Sequence, residues 1–142
     1  MNERTRRNFL RTSGTGLAGL ASFSLIKTLA QGSPSGRIRH AVIGTGGQGS
    51  SHCRAFAQLK DCEVAAVCDL DPQRRDKAAA SLPNAERVQK YDDFRKLLEN
   101  QSIDTVSIAT CDHWHTPIAL AALQAGKHVY VEKPCSHNVH ES

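Results

Sequence analysis

Ile38-Arg39-His40-Ala41-Val42-Ile43-Gly44-Thr45-Gly46-Gly47-Gln48-Gly49 is the stretch that decides the fold. Its first half is a short apolar run that reads as a buried strand. Its second half is Gly-x-Gly-x-x-Gly, opening a helical run over residues 48–59. Gly44 permits a tight turn out of the strand, Gly46 leaves room for backbone to approach a pyrophosphate, and Gly49 lets the helix pack close to the strand. The helix start offers unpaired N–H groups and a partial positive charge to phosphates. Such a turn alone is weak, and the next segment strengthens it. A second strand, residues 63–68, runs into Asp69, 20 residues beyond Gly49. A carboxylate there accepts the hydroxyls of an adenosine ribose. Strand, turn, helix, strand and acid together predict a nicotinamide dinucleotide site. Asp69 repels a 2′-phosphate and favours NAD, while Arg74 and Arg75 close behind it keep NADP open.

Beyond this unit the chain keeps alternating. Asp71-Pro72 starts a helix to about residue 81, with Asp as cap and Pro at the first helical position. Residues 87–90 form a short third strand, Asp92 or Asp93 caps a helix to about residue 99, and residues 105–109 are a fourth strand. Thr116-Pro117 opens a helix that Gly126 closes, and residues 128–131 are a fifth strand. Short uninterrupted apolar strands alternating with helices predict an α/β fold with a doubly wound parallel sheet, covered on both faces. Five strands appear where the complete dinucleotide fold uses six.

The 142 residues carry a net charge of +4, and all of the excess lies in residues 1–30. There Arg4, Arg6, Arg7, Arg11 and Lys27 oppose Glu3, whereas residues 31–142 hold equal numbers of cations and anions. That distribution gives no electrostatic case for nucleic acid. The start reads Thr5-Arg6-Arg7-Asn8-Phe9-Leu10-Arg11, followed by a weakly apolar run of 15 residues, 12–26, and small residues at 28 and 30. It resembles a twin-arginine export signal. We therefore expect a signal peptide over 1–30, a Gly/Ser/Pro linker over 31–36, a domain from 37, and a periplasmic or extracellular location. The apolar run is short of the ~20 residues of a spanning helix, so no stable membrane anchor is expected. Five Cys in a chain of this size do not suggest a disulfide framework, and Cys53, Cys62 and Cys68 fall in or beside core elements. Cys111, His113 and His115 lack a second cluster to complete a metal site, so no metal is expected.

The end of the chain carries further chemistry. Strand four leads into Ala109-Thr110-Cys111-Asp112-His113-Trp114-His115-Thr116-Pro117, and strand five into Glu132-Lys133-Pro134. Both segments fall at the carboxyl edge, where ligands bind in this fold. Thr45, Gln48 and Thr110 are counted with Gly44, Gly46, Gly49 and Asp69 as cofactor contacts.

Residues 38–142 resemble the Gfo/Idh/MocA family, the glucose–fructose oxidoreductase and inositol dehydrogenase group. The resemblance rests on the Gly turn, Cys68-Asp69-Leu70-Asp71-Pro72, His115-Thr116-Pro117, Ala125-Gly126-Lys127-His128-Val129 and, most specifically, Glu132-Lys133-Pro134. It implies a two-domain oxidoreductase in which a Rossmann domain holds NAD(P) and a C-terminal α/β domain, absent from this sequence, completes a site for a sugar or polyol. It implies that Lys133 handles the hydroxyl proton during hydride transfer, and that Glu132 orients Lys133 or bonds a ribose. His115 either lines the nicotinamide end or is a capping or packing residue. Trp114 either walls the cofactor pocket or packs into the core, and Pro134 fixes the backbone, a cis peptide bond being one way. The chain thus reads as the cofactor-binding portion of a longer enzyme, with a homo-oligomer open for the full-length protein. Two alternatives stand beside it. One is the NAD-dependent glycosidase branch of the family, which as a rule lacks this Lys. The other is a non-catalytic nucleotide-binding module.

Overall fold

In the computed structural model, residues 36–141 are described. The expected signal peptide, the location it implies and nearly all of the linker lie outside them. The elements run β1 (Ile38–Ile43), α1 (Gly47–Ala57), β2 (Cys62–Cys68), α2 (Pro72–Ala80), β3 (Gln89–Tyr91), α3 (Phe94–Leu98), β4 (Thr105–Ile108), α4 (His115–Gln124) and β5 (His128–Val131). The five strands form one sheet in the order β3-β2-β1-β4-β5, and every pair is parallel. The chain moves outward from β1 in one direction and then returns to build outward in the other. This is the doubly wound arrangement, and its crevice opens where the order reverses, between β1 and β4.

Each strand alternates its side chains between two cores. Ala41 and Ile43 of β1, with Val106 and Ile108 of β4, pack on Leu97, Leu98, Ile118 and Ala122 of α3 and α4. On the opposite face Val42, Val64 and Val67 pack on Cys53, Ala78, Ala79 and Leu82 beneath α1 and α2. Burying a Val, Leu or Ile contributes about 1.5–3 kcal/mol each, so these two layers supply the main driving force.

Local signals explain most boundaries. Asp71 caps α2 by accepting from the Gln73 and Arg74 amides, with Pro72 at the first helical position. Asp93, not Asp92, caps α3 through the Arg95 amide. Gly126, at φ +73°, ends α4 while the Gly126 and Lys127 amides bond Leu123 and Ala122 carbonyls. Two elements shift from expectation. A 3₁₀ turn at Ala85–Arg87 delays β3 to Gln89, and another at Asp112–Trp114 leads α4 to begin at His115.

At the carboxyl edge the ladder continues one residue past β1, β2, β4 and β5. Gly44 N–H bonds Cys68 O (2.8 Å), Asp69 N–H bonds Tyr91 O (3.1 Å), Ala109 N–H bonds Ile43 O (2.8 Å) and Glu132 N–H bonds Ile108 O (2.9 Å). Gly44, Asp69, Ala109 and Glu132 are thereby set side by side by backbone alone.

Candidate functional site

Gly44 adopts φ +84°, and a Cβ there would come within 2.7 Å of Ala109 O. The turn therefore needs glycine both for its conformation and for its contact with the end of β4. Gly49 is tighter still, since a Cβ would fall 1.7 Å from Gly44 O. Gly46 differs: a Cβ on it would meet only the Arg74 guanidinium, at 3.9 Å, and one on Gly47 would meet nothing within 4 Å. Two glycines are thus required by the protein's own packing, and the two at the helix start leave open space. That start has no acidic residue in its first turn and no side-chain cap, so its leading N–H groups suit an anion.

Asp69 does more than stand at a strand tip. Its Oδ2 accepts from the Thr45 amide (2.7 Å) and the Thr45 hydroxyl (3.0 Å), and its Oδ1 accepts from the Asp71 amide (2.9 Å). The carboxylate laces the glycine turn to the end of β2, and capacity for a ribose hydroxyl remains on Oδ1. Thr45 is buried with its hydroxyl on Asp69. Its side chain supports the turn from behind.

A cleft of about 700 Å³ opens along this edge, lined among others by Gly44, Gly46, Asp69, Arg74, Thr110 and Trp114. Trp114 is 42% exposed and meets the Phe94 ring edge-on at 6.1 Å, which makes it a wall of the cleft and not a core residue. Leu70, Phe94, Arg95 and Lys96 also line the cleft. Leu70 belongs to the stretch that follows Asp69, whereas no motif announced Phe94, Arg95 and Lys96, because α3 reaches the crevice only through the crossover. Of the two arginines behind Asp69, Arg74 lines the cleft, while Arg75 turns toward the Asp69 carbonyl and Asp76.

At the end of β5 stands a second group. Glu132 Oε1 accepts from His52 Nε2 (2.9 Å) and Gln48 Nε2 (3.1 Å), and Oε2 accepts from the Lys133 amide (3.2 Å). The His52 hydrogen bond first, then that of Gln48, holds the Glu132 carboxyl below its usual range. Lys133 is exposed and precedes Pro134 through a cis peptide bond. His115 is 2% exposed, with Nδ1 2.6 Å from Pro134 O and Nε2 3.2 Å from Thr110 O. Both ring nitrogens face backbone carbonyls, and the one that carries the proton donates, so His115 ties the Lys133–Pro134 turn to the end of β4. His52 escaped the sequence reading: it follows Gln48 by one helical turn, but nothing in the residues alone places Glu132 opposite. Among the described residues no group of three His, Cys, Asp or Glu side chains could hold a metal.

A doubly wound sheet with a glycine turn, an acid at the next strand end and an anion-ready helix start defines a dinucleotide-binding domain. The chain matches the model of the GFO_IDH_MocA oxidoreductase family, NAD-binding Rossmann fold, over residues 38–142, and it belongs to that family. It is 32% identical over 158 residues to a "Glycosyl hydrolase family 109 protein" of Shewanella pealeana, covering 96% of this chain and 35% of that protein. It is also similar to an NAD-binding oxidoreductase from Klebsiella pneumoniae, at TM-score 0.64 and 33% identity over 74% of this chain and 29% of that one. A myo-inositol dehydrogenase from Lactobacillus casei, solved with NAD(H) and myo-inositol, aligns at TM-score 0.68 and 28% identity over 74% of this chain and 31% of that one. The chain therefore spans about a third of the length of the relatives it matches.

Proposed function

We propose that this chain is the NAD-binding portion of an exported enzyme that moves hydride between a sugar or polyol CH–OH and nicotinamide. The observation that carries the reading is the edge itself. The glycine turn, Asp69 and Glu132-Lys133-Pro134 stand at the ends of β1, β2 and β5 of one parallel sheet. The open faces of Gly46 and Gly47 fit a pyrophosphate against the start of α1. Asp69 Oδ1 would accept a ribose hydroxyl on the β2 side, and Thr110 and Trp114 would bound the nucleotide where the strand order reverses. NAD, when bound, supplies the hydride acceptor. Lys133 Nζ would take the proton of the substrate hydroxyl as its carbon loses hydride, and return it in the reverse direction. Glu132, held by His52 and Gln48, would steady the backbone of Lys133. The myo-inositol bound by the Lactobacillus casei neighbour supports the substrate class. The Arg6-Arg7 motif supports export by the twin-arginine machinery, which carries folded proteins with cofactor already loaded.

Titration of NADH into the 142-residue chain, followed by nicotinamide fluorescence, tests the reading. Saturable binding that is weaker for NADPH is expected, and absence of saturation for either nucleotide would overturn it.

The name of the Shewanella pealeana relative favours a second reading, an NAD-dependent glycosidase. Lys133 speaks against it on the family pattern. Release of nitrophenol from a nitrophenyl glycoside without added acceptor, by the longer protein carrying this chain, would decide for the glycosidase.

A further inference from the structure

We infer that His52 is a positioning residue that couples the phosphate-binding helix to the Glu132-Lys133-Pro134 turn through one carboxylate, so that seating the pyrophosphate also sets the nicotinamide end. This rests on the NAD-binding reading above. His52 is 7% exposed, yet it sits in α1 only one turn behind the glycine loop. Its Nε2 reaches Glu132 Oε1 at 2.9 Å, beside Gln48 from the turn before. The other carboxylate oxygen takes the Lys133 amide. Two successive turns of the phosphate helix are therefore cross-braced to the residue that precedes Lys133.

Packing alone does not explain a histidine here. The ring is held edge-on by Phe56 (6.3 Å) and Tyr130 (5.5 Å), a setting that an apolar side chain would fill as well. Instead His52 Nδ1 is buried without a hydrogen-bond partner, a cost that only the bond made by Nε2 offsets. With one nitrogen orphaned, the ring's hydrogen bonding is directed entirely at Glu132. Across a doubly wound sheet the dinucleotide extends from the β2 side over the α1 start to the β4–β5 side. Glu132 thus faces the nicotinamide half, while Asp69 faces the adenosine half.

Two ligands separate these halves. ADP-ribose needs the glycine turn and Asp69; NADH needs in addition a correctly set β5 turn. In the 142-residue chain, His52→Phe is expected to weaken NADH about tenfold, the loss of a hydrogen bond to a charged group. ADP-ribose, titrated calorimetrically, is expected to change less than about twofold. His52→Gln, whose amide reaches toward the place of Nε2, should restore NADH binding, and the shorter His52→Asn should not. In a Glu132→Gln background, His52→Phe should add little further loss. Equal weakening of both ligands, or no weakening of either, would overturn the inference. Should the Phe variant fail to fold, the Gln and Asn pair decides alike: a difference in the NADH to ADP-ribose affinity ratio supports the coupling, and equal ratios overturn it. If the unaltered chain binds ADP-ribose but not NADH, the coupling falls while the adenosine half of the site stands. If it binds neither, the NAD reading falls first and the coupling with it.

Discussion

The glycines of the turn differ in what they do, and single substitutions should expose this. A methyl on Gly49 would collide with Gly44 O at 1.7 Å, backbone against backbone, so the strand and helix must move apart. We expect Gly49→Ala to lower stability by at least about 2 kcal/mol, read as the urea midpoint, in line with other forced overpacking. Gly46→Ala meets nothing closer than 3.9 Å and should leave that midpoint nearly unchanged while NADH affinity is lost, because only the ligand needs the space. Equal melting of the two variants would contradict this. Asp69 likewise combines two tasks. Because it accepts three bonds from Thr45 and Asp71, Asp69→Ala should cost about 1–3 kcal/mol in the absence of nucleotide, beyond any loss of binding. A denaturation curve identical to the unaltered chain's would show the lacing to be unimportant.

Between elements, the sheet holds a buried polar node. His40 of β1 is 2% exposed and contacts the Thr105 hydroxyl at 2.6 Å and the Ser107 hydroxyl at 3.0 Å on β4. Its ring stacks on Phe56 of α1 at 3.8 Å. Burial first, and the nearby His52 second, push its pKa down from 6.5 to about 3. The folded state therefore keeps this ring neutral while the unfolded chain takes a proton below pH 6.5. Its contribution is complete above that pH and is lost as pH falls toward about 3, with a slope of up to ~1.4 kcal/mol per unit. Urea midpoints measured from pH 7.5 to 4.5 should fall less steeply for His40→Gln than for the unaltered chain. Parallel curves would remove His40 from the acid sensitivity. Helix capping acts at the same scale, and here sequence and structure agree. Asp71-Pro72 and Gly126 work through bonds within a few residues of themselves, so their meaning does not depend on the rest of the fold.

Over the whole molecule the five cysteines report the two cores and the cleft together. Cys53, Cys62 and Cys68 are buried, while Cys111 and Cys135 are exposed. Burial pushes the Cys53 thiol up to about 11 and that of Cys68 up to about 12, and raises Cys62 as well. Thiolate is the reacting form, so these three should be slow. A thiol-specific chromogenic reagent should therefore titrate two groups in the native chain and all five in denaturant. Cys111 lines the cleft and Cys135 does not, so saturating NADH should slow one of the two fast groups. Protection of neither would argue that nucleotide lies elsewhere. Nucleotide at about a hundred times its dissociation constant should also stabilise the fold by about 2.7 kcal/mol, since it binds only the native state.

Legible in the residues alone were the strands, the helix starts and stops, the glycine turn and the acid 20 residues beyond it, because these are local patterns of period, capping and spacing. The doubly wound parallel sheet was expected from them by the handedness of crossovers, while its order β3-β2-β1-β4-β5 came with the structure. Tertiary structure alone decided which side chains meet across elements. It turned Thr45 inward onto Asp69, drew His115 under the Pro134 turn, exposed Trp114 at the cleft and brought His52 to Glu132, a residue 80 positions away. Such contacts depend on sheet register and helix rotation, which are settled by the packing of the two cores as a whole and leave no mark in the spacing of any one segment.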